Sequence, residues 1–484
     1  MNNENKTIML INSPSFNKLV FEGGNINTKA SDIQSLPPIN LVYLATYLKS
    51  QRPEINVIIK DFLVETYSKE EFISLLELEK PFIIGITIFS TELYDAFNIA
   101  KQIKEHDQNI ILIGGGPHTA LYPKETLEQP FFDMVCQGEG EKALVDIVDH
   151  VINGREIKGI DNIWYKKDNE VIPPERAFIN AFDDLDEAPI LDQGFVNHRN
   201  YYQPFLHSGK GLIAVLAGRG CPFKCTYCNS SSRIPRQRSI EHIIKEIISL
   251  VEKFNCNNVF LLDDTFNIKS SRVIEFSKQI LDKNIKITWS FRGRVNSLNE
   301  ETIEIAKKAG LKHIALGVED FTDEGLKKVK KGLTVKKTRE IFKLCKKYNI
   351  KTTANFIIGL PHNQEIEKQM RVFNFIIELS PTTIQTNVLM LIPGCEIYDD
   401  AVREGVISGN EWINHVKNPS IDFEIPGWEG GLTISEQFEI NTIINKAFYS
   451  RPVYLIKMFL EIRSIREFLI KIKTGFRLLK GYYN

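Results

Sequence analysis

Three of the chain's seven cysteines lie within eight residues, in the stretch GRGCPFKCTYCN. They are Cys221, Cys225 and Cys228, and thiolates are strong metal ligands. A closed zinc site requires four ligands, usually in two separated pairs, and the sequence contains no second pair. A four-iron, four-sulfur cluster held by three cysteines instead leaves one iron open to bind a small molecule. The spacing therefore favours an iron–sulfur cluster over structural zinc.

The other four cysteines are scattered through apolar sequence, at Cys136, Cys256, Cys345 and Cys395. This distribution is typical of buried small residues and indicates no disulfide framework. The polar opening MNNENKTIMLINSP is typical neither of a signal peptide nor of a membrane anchor. We therefore expect a cytoplasmic protein, whose reducing surroundings keep the clustered thiols free to bind metal.

Size and charge narrow the class of protein. A chain of 484 residues is too long for one hydrophobic core, so two or three domains are expected. Apolar residues make up 43% and charged residues 25%, as in ordinary globular proteins. The net charge of -1 shows no electrostatic signature of a nucleic-acid partner, and we expect none.

Short apolar runs alternate with amphipathic stretches from Ile8 to about Asn153, among them IMLIN, NVIIKDF, FIIGITI, NIILIGGG and DMVCQGE. This alternation predicts a parallel sheet with helices on both faces. Ligands of such sheets bind beyond the carboxyl ends of the strands. Those ends carry Asn12, Thr87, Ser90, the glycines 114–116 and the pair 138–139. The glycines either let a ligand approach the backbone or simply form tight turns.

The next stretch, at about 155–200, reads as a small hairpin followed by an acidic connector. From Leu212 onward strand and helix alternate again, with the runs LIAVLA, NVFLLDD, KITWSFRGRV, HIALGVED, KTTANFIIGLP and TIQTNVLMLIP. Six such repeats predict a partial barrel whose chemistry lies at the carboxyl ends of its strands. The cysteine cluster follows the first of these strands, as a barrel active site requires.

The predicted fold class is thus α/β. A doubly wound, Rossmann-like domain spans 1–155, a linker with a hairpin 156–200, a partial (β/α)6 barrel 201–395 and a helical region 396–484. That last region ends in basic residues interleaved with apolar ones, in LIKMFLEIRSIREFLIKIKTGFRLLKGYY. This pattern fits either a helix packed on the barrel with a solvated basic face or a peripheral membrane helix.

The spacing C-x3-C-x2-C, with Tyr227 before the last cysteine, resembles that of the radical S-adenosylmethionine (radical SAM) enzymes. The segments LLDDTF, WSFRGRV, LGVED and NFIIGLP are similar to later strand ends of the subgroup with an N-terminal cobalamin domain. PPINLVYLATYLKS, GITIFSTELYDA, IGGGPHTALYP and CQGEGEKAL resemble that cobalamin domain, so the resemblance covers nearly all of 6–395. It implies three cofactors, namely a [4Fe–4S] cluster, S-adenosylmethionine and cobalamin.

The resemblance assigns the three clustered cysteines to the cluster, and Tyr227 to a position beside the cluster and the adenine. It implies that Asp263 and Asp264 meet the ammonium of the methionine moiety, although an Asp here could instead cap the following helix. Arg292 would pair with the methionine carboxylate, because its planar fork suits a bidentate contact. Glu319 would contact the ribose or amino group, unless Arg292 and Glu319 pair with each other.

The backbone at Ile357 and Gly359 matches the strand that lies against adenine in the family. The family pattern continues to a Glu three residues after the glycine. This chain has His362 at that place, so no acidic role is implied for it.

On the cobalamin side, the resemblance implies that the hydroxyl of Thr87 contacts cobalamin. It also implies that the nucleotide tail of cobalamin runs past Gly115 and Gly116. Ser90 and Gly138, at neighbouring strand ends, complete the predicted cobalamin site. Cobalamin domains of the methionine-synthase type also carry D-x-H-x-x-G, whose histidine binds cobalt from below. The corresponding stretch here, NSPSFNKL, has neither Asp nor His, so we expect cobalt without a histidine ligand.

The resemblance implies reductive cleavage of S-adenosylmethionine to a 5′-deoxyadenosyl radical, followed by methylation of an unactivated carbon of a small molecule. An external one-electron reductant of the flavodoxin or ferredoxin type would supply the electron. Two alternatives stay open, a radical cyclase or rearrangement enzyme of the porphyrin-cyclase type, and a non-catalytic cobalamin sensor or electron carrier. No motif in the sequence identifies the substrate.

Overall fold

The computed structural model describes residues 6–14, 35–168, 170–201, 203, 211–232 and 234–460. These residues form two compact units. The first unit contains 6–14, Pro37–Asn197 and Gly409–Glu424. The second unit contains 35–36, His198–Ser408 and the described residues from Ile425 onward. The domain boundaries predicted at 155, 200 and 395 stay predictions.

The strands of the first unit form one sheet. Its strands are β1 (Thr7–Asn12), β2 (Asn56–Asp61), β3 (Ile83–Thr87), β4 (Ile111–Gly115), β5 (Met134–Cys136), β6 (Ile163–Lys167) and β7 (Glu170–Ile172). Their order in the described part of the sheet is β2-β1-β3-β4-β5-β6-β7. The first five pair in parallel, whereas β6 and β7 form the predicted antiparallel hairpin. Every residue of β1 is buried, as expected for a central parallel strand covered on both faces.

The second unit has its own parallel sheet and a small ribbon. Its strands are β8 (Ile213–Val215), β9 (Gly218–Arg219), β10 (Arg236–Gln237), β11 (Asn258–Leu261), β12 (Thr288–Gly293), β13 (Leu311–Glu319), β14 (Lys351–Ile358) and β15 (Thr383–Val388). The parallel sheet runs β15-β14-β13-β12-β11-β8, and among the described strands β9 pairs only with β10. The predicted partial barrel is confirmed.

Helices follow the strands in both units, and several begin at a polar capping side chain. They are α1 (Ile39–Gln51), α2 (Lys69–Glu79), α3 (Leu93–His106), α4 (Pro117–Leu121), α5 (Pro123–Glu128), α6 (Glu141–Ile152), α7 (Ile240–Phe254), α8 (Ser270–Asp282), α9 (Glu300–Lys308), α10 (Asp323–Lys328), α11 (Val335–Lys347), α12 (Ile366–Leu379), α13 (Glu396–Arg403), α14 (Glu411–Lys417), α15 (Ile434–Tyr449) and α16 (Pro452–Leu460). Ser239 and Asn299 accept hydrogen bonds from the first turns of α7 and α9. Thr433 and Glu436 form a capping box at the start of α15.

The two faces of the barrel sheet have different surroundings. On β14, Ala354, Phe356 and Ile358 are buried in the hydrophobic core shared with the helices. Successive side chains of a strand point to opposite faces, so Asn355 and Ile357 face the other way, into the concave side. The outer face of the sheet is thus apolar and covered by helices, whereas its inner face carries polar side chains.

Within the described part of the chain, no helix is both long enough and apolar enough to cross a membrane. Most of the basic C-terminal segment, residues 461–484, lies outside the described residues. The four scattered cysteines are buried and form no disulfide, which confirms their predicted place in the core.

Candidate functional site

The clustered cysteines lie on the loop that joins β9 to β10. Cys221 and Cys225 are buried and Cys228 is half-buried. The amide of Cys228 donates to the carbonyl of Cys225 at 3.2 Å, which turns the chain between these two thiols. Gly220, the first residue of this loop, has a φ of 79°, a left-handed conformation that favours glycine.

The backbone of Thr226 fastens this loop to the rest of the second unit. Its amide donates to the carbonyl of Val329 at 3.2 Å, and its carbonyl accepts from the amide of Ile397 at 2.9 Å. These bonds come from residues about 100 and 170 positions away, counted along the sequence. The loop that carries the thiols is therefore placed by tertiary contacts.

The thiols have polar neighbours. Cys225 Sγ accepts a hydrogen bond from Arg294 Nη1 at 3.4 Å, and Cys221 Sγ lies 3.7 Å from Thr265 Oγ1. Burial raises the pKa of the Cys228 thiol, so binding to iron would displace its proton. Among the described residues, no three His, Cys, Asp or Glu side chains already form a metal-binding group.

Asp263 and Asp264 follow β11 but have different surroundings. Asp263 is buried, and its carboxylate accepts hydrogen bonds from the amides of Ala217, at 2.6 Å, and Gly218. Burial raises the pKa of Asp263 to about 7, against those hydrogen bonds. The alternative that Asp263 caps the next helix is wrong, because α8 begins later, after Lys269. Asp264 is exposed, so its carboxylate is the accessible one at this strand end.

Arg292 lies near the end of β12 with its guanidinium 5.8 Å from the centre of the Phe260 ring. The side chain is accessible to solvent, although the surrounding protein partly desolvates its charge. This surrounding protein lowers the pKa of Arg292, and the carboxylate of Asp264 opposes the shift. A cation and an accessible carboxylate thus occupy adjacent strand ends.

Glu319 ends β13 in an unusual conformation. Its φ is 70°, and the pairing of β13 with β14 shifts register between Gly317 and Glu319. Its carboxylate pairs with buried Lys331 at 2.8 Å, so the alternative pairing of Glu319 with Arg292 is wrong. Lys331 also donates to the hydroxyl of Tyr227 at 3.1 Å. Burial, reinforced by Glu319, raises the pKa of Tyr227, which keeps the phenol neutral.

The predicted adenine-side positions lie at the end of β14. Ile357 is half-buried on the concave face of the sheet. Gly359 has a φ of 83°, and a Cβ there would overlap the Gln437 side chain of α15. His362 Nε2 lies 2.8 Å from Oδ2 of buried Asp320, and this hydrogen bond joins the strand ends of β13 and β14.

In the first unit, the predicted cobalamin residues lie at the carboxyl ends of β3, β4 and β5. Thr87 ends β3 beside Gly116, whose φ is 106°. A Cβ on Gly115 would meet nothing nearer than 4.0 Å, so the space beside Gly115 is open. Gly138, with a φ of 138°, is needed for packing, because a Cβ there would lie 3.3 Å from Asn162.

Ser90 is tied to a buried histidine. Its hydroxyl lies 2.9 Å from His118 Nδ1, while His118 Nε2 is buried without a described partner. Burial lowers the pKa of His118 to about 3, with a contribution from nearby His415, so the imidazole is neutral at pH 7. Part of the stretch NSPSFNKL lies outside the described residues.

Several polar residues near the site in the second unit were not predicted from the sequence. Arg294 and Lys331, both buried, surround the cysteine loop. Arg294 follows Arg292 by two positions in WSFRGRV, so the doubled arginine was a usable signal. Lys331 lies in a charged stretch after α10 and had no distinguishing pattern. Gln385 and Asn387 of β15 expose their side chains on the concave face.

Comparison with known proteins agrees with this geometry. The model of the Radical SAM superfamily matches residues 215–372, and the model of the B12 binding domain matches residues 30–148. The chain is 30% identical over 92% of its length to "Uncharacterized methyltransferase PH0819" of Pyrococcus horikoshii, of which it covers 94%. The chain belongs to the B12-binding radical SAM enzymes.

Other proteins to which the chain is similar have different names. The chain is 28% identical over 74% of its length to an anaerobic magnesium-protoporphyrin IX monomethyl ester cyclase of Rubrivivax gelatinosus, of which it covers 66%. Several more distant relatives are named as methyltransferases or methylases. Both kinds of chemistry therefore occur among the relatives.

The fold of this radical SAM enzyme is similar to that of OxsB, a cobalamin-dependent S-adenosylmethionine radical enzyme solved with aqua-cobalamin bound. The TM-score is 0.71 at 18% identity, covering 99% of this chain and 72% of OxsB. At this identity the likeness concerns the fold alone.

The cofactors of this family are a [4Fe–4S] cluster, S-adenosylmethionine and cobalamin. The residues present fit them. Three thiols share one loop beside a buried cation, which suits an anionic cluster. The accessible pair Asp264 and Arg292 matches an ammonium and a carboxylate. Open space beside Gly115 suits a ligand that approaches the backbone.

Proposed function

We propose that this radical SAM enzyme methylates an unactivated carbon of a small molecule. The observation that carries the proposal is the likeness, over nearly the whole chain, to a protein named as a methyltransferase. When bound, the cluster and S-adenosylmethionine supply a 5′-deoxyadenosyl radical, and cobalamin supplies a methyl group. The chain itself must then bind, orient and shield these groups.

Cys221, Cys225 and Cys228 hold the cluster in this proposal. Asp264 accepts the ammonium of the methionine moiety, and Arg292 pairs with its carboxylate through two N–H groups. Asp263 acts on the loop instead, because its carboxylate is occupied by the amides of Ala217 and Gly218. The pair at adjacent strand ends thus matches both charges of an amino acid.

The remaining cofactor contacts are also proposals. Lys331 holds both Tyr227 and Glu319, so that Tyr227 would pack beside the cluster and Glu319 would reach the ribose or amino group. The backbone at Ile357 and Gly359 lies against adenine. On the cobalamin side, the proposed contacts are Thr87, Ser90, Gly115, Gly116 and Gly138.

The concave face of the barrel sheet favours a polar substrate. Gln385 and Asn387 are exposed there, and Asn355 Oδ1 is buried without a described hydrogen-bond partner. Carboxamides donate and accept hydrogen bonds without charge. A substrate with hydroxyl, amide or carbonyl groups would satisfy them.

The direct test is anaerobic reconstitution followed by iron and sulfide analysis and mass spectrometry of the products. We expect one four-iron cluster per chain, 5′-deoxyadenosine formation and a product heavier by one methylene. The triple variant with Cys221, Cys225 and Cys228 replaced by Ala should lose the cluster. Cys256→Ala, at a buried cysteine outside the loop, is the matched control and should retain it. Stoichiometric zinc without iron would contradict the proposal.

The state of cobalt has a separate test. Because the D-x-H-x-x-G pattern is missing, cob(II)alamin bound to the chain should show no superhyperfine splitting from a histidine nitrogen. Electron paramagnetic resonance measures this directly. Splitting from a protein nitrogen would contradict the assignment while leaving the radical chemistry in place.

A radical cyclisation of the porphyrin-cyclase type is the second candidate, favoured by the similarity to the Rubrivivax gelatinosus cyclase. Product mass separates the two, because cyclisation adds no methylene. Methylation and cyclisation would both form 5′-deoxyadenosine, whereas a non-catalytic cobalamin protein would form none.

The proposed partners beyond the substrate are a flavodoxin- or ferredoxin-type reductant and an anionic membrane surface. For the latter, α16 exposes Val453, Leu455 and Ile456 at the beginning of the basic C-terminal segment. Co-sedimentation with anionic vesicles, compared with neutral ones, tests this contact. Cluster reduction by purified flavodoxin tests the electron donor.

A further inference from the structure

Arg294 is a buried cation beside the cysteine loop. It is only 6% exposed, and Nη1 donates to Cys225 Sγ at 3.4 Å. Nη2 donates to the carbonyl of Lys331, and the guanidinium lies 3.8 Å from the centre of the Phe223 ring. Its position is thus determined from three sides, two of which belong to the cysteine loop itself.

The backbone of Arg294 is held as firmly. Its amide donates to Asn267 Oδ1 at 2.8 Å, and its carbonyl accepts from Asn267 Nδ2 at 2.7 Å. Asn267 is itself fully buried. This pair of hydrogen bonds fixes the backbone of Arg294, so the guanidinium has little freedom to move away from Cys225.

What Arg294 lacks is an anion. Among the described residues it forms no ion pair, and its Nε is buried without an acceptor. Arg238, buried to a similar extent in the same unit, pairs with Glu246 at 2.9 Å. The nearby carboxylate of Glu319 is already paired with Lys331. A buried charge without a counter-charge is costly, so the site calls for an anionic group beside Cys225.

We propose that Arg294 sets the reduction potential of the cluster through its contact with Cys225 Sγ. The inference rests on the proposed binding of the cluster by the three cysteines. Reduction adds one negative charge to the cluster, and a fixed cation with an N–H donor at a ligand sulfur stabilises that reduced form. Arg294 therefore raises the potential and eases electron transfer from an external one-electron reductant.

The test compares Arg294→Gln, Arg294→Lys and Arg339→Gln with the unaltered full chain. Arg339 is an exposed arginine of α11 paired with Glu378, so its loss changes net charge equally, away from the cysteine loop. Iron and sulfide content is measured first. The potential is then measured by a redox titration followed by electron paramagnetic resonance, without S-adenosylmethionine.

Arg294→Gln should lower the ratio of reduced to oxidised cluster about tenfold at a given potential, equivalent to a shift of about 59 mV for one electron. Arg294→Lys should give an intermediate, more negative potential. It keeps the charge but cannot reach both Cys225 Sγ and the Lys331 carbonyl. Arg339→Gln should match the unaltered chain.

The iron content and the reduction potential of the two Arg294 variants together test the inference. If the Gln and Lys variants contain the cluster and its reduction potential equals that of the unaltered chain, the inference is overturned and Arg294 is a structural residue. If the Gln variant holds no iron, the Lys variant decides by the same criterion. Loss of iron in both would show a role in assembly and also overturn it. An unaltered chain without a cluster would instead contradict the proposed function.

Discussion

At the scale of single residues, two neighbouring aspartates show how burial divides roles. Asp263 is buried against the amides that precede the cysteine loop, whereas Asp264 is exposed beside Arg292. The sequence alone predicts the same role for both carboxylates. Their surroundings make one a support of the loop and the other available to a ligand.

Arg292→Ala should weaken S-adenosylmethionine binding by roughly ten- to a hundredfold, because a charge-assisted hydrogen bond contributes about 1.5 to 3 kcal/mol. Arg292→Lys should also weaken it, since a point charge does not reproduce the planar fork. Calorimetric titration of the reconstituted protein measures both. Unchanged affinity in the two variants would make Arg292 structural, and the cluster spectrum serves as the control for folding.

Asp263→Ala should impair cluster retention more than Asp263→Asn. The Ala variant leaves the amides of Ala217 and Gly218 without their acceptor, at a cost of about 1 to 3 kcal/mol. The Asn variant keeps one acceptor oxygen and removes a carboxyl whose pKa burial has raised to about 7. Iron content after gel filtration measures the difference. Equal retention in both would argue against a supporting role.

At the scale of elements, the carboxyl ends of several strands share an unusual backbone conformation. Positive φ values at Gly116, Gly138, Glu319 and Gly359 all lie at or just beyond such ends. Glycine adopts such angles without a steric penalty, so of these four residues only Glu319 holds a strained backbone. Helices and strand interiors supply the rigid support.

Gly116→Ala should destabilise the chain more than Gly154→Ala. Both glycines have positive φ, but a Cβ on Gly116 would lie 2.9 Å from the Ile88 carbonyl oxygen, whereas one on Gly154 meets nothing within 4 Å. The Gly154 variant should cost only the conformational penalty of about 1 to 2 kcal/mol. Denaturant unfolding of the two variants compares them. Equal losses would show that conformation alone matters at Gly116.

At the scale of the whole molecule, buried neutral histidines make stability depend on pH. In the first unit, burial lowers the pKa of His118 to about 3 and of His415 to about 4. In the second unit, buried His313 has its pKa lowered to about 3. Unfolded histidines bind protons below about pH 6.5, whereas these stay neutral in the fold. Stability is therefore full above that pH and lost as the pH falls toward 3 or 4.

His415→Phe should weaken this acid dependence. Phe keeps the ring that stacks on Phe423 at 3.9 Å, while one proton fewer is taken up on unfolding. The pH dependence of the unfolding free energy should fall by up to about 1.4 kcal/mol per pH unit between roughly pH 6.5 and 4. Denaturant titrations at several pH values measure the slope. His106→Phe, at an exposed histidine of α3, is the control for the loss of one histidine from the chain.

The sequence by itself determined the order of strands and helices, both sheets and the three thiols. Apolar runs such as IMLIN must be buried, and their alternation with helices admits few topologies. The spacing of Cys221, Cys225 and Cys228 is local, so it is visible without a structure. The family resemblance implied the three cofactors, and the comparisons confirm them.

Only the tertiary structure decided which charges meet. Glu319 pairs with Lys331, twelve residues away, and Arg294 meets Cys225, sixty-nine residues away. Such pairs depend on which strand ends are neighbours in the sheet and on how each backbone turns there. No sequence pattern carries that information, because a side chain's burial and partner are properties of the packed core and not of its neighbours in the chain.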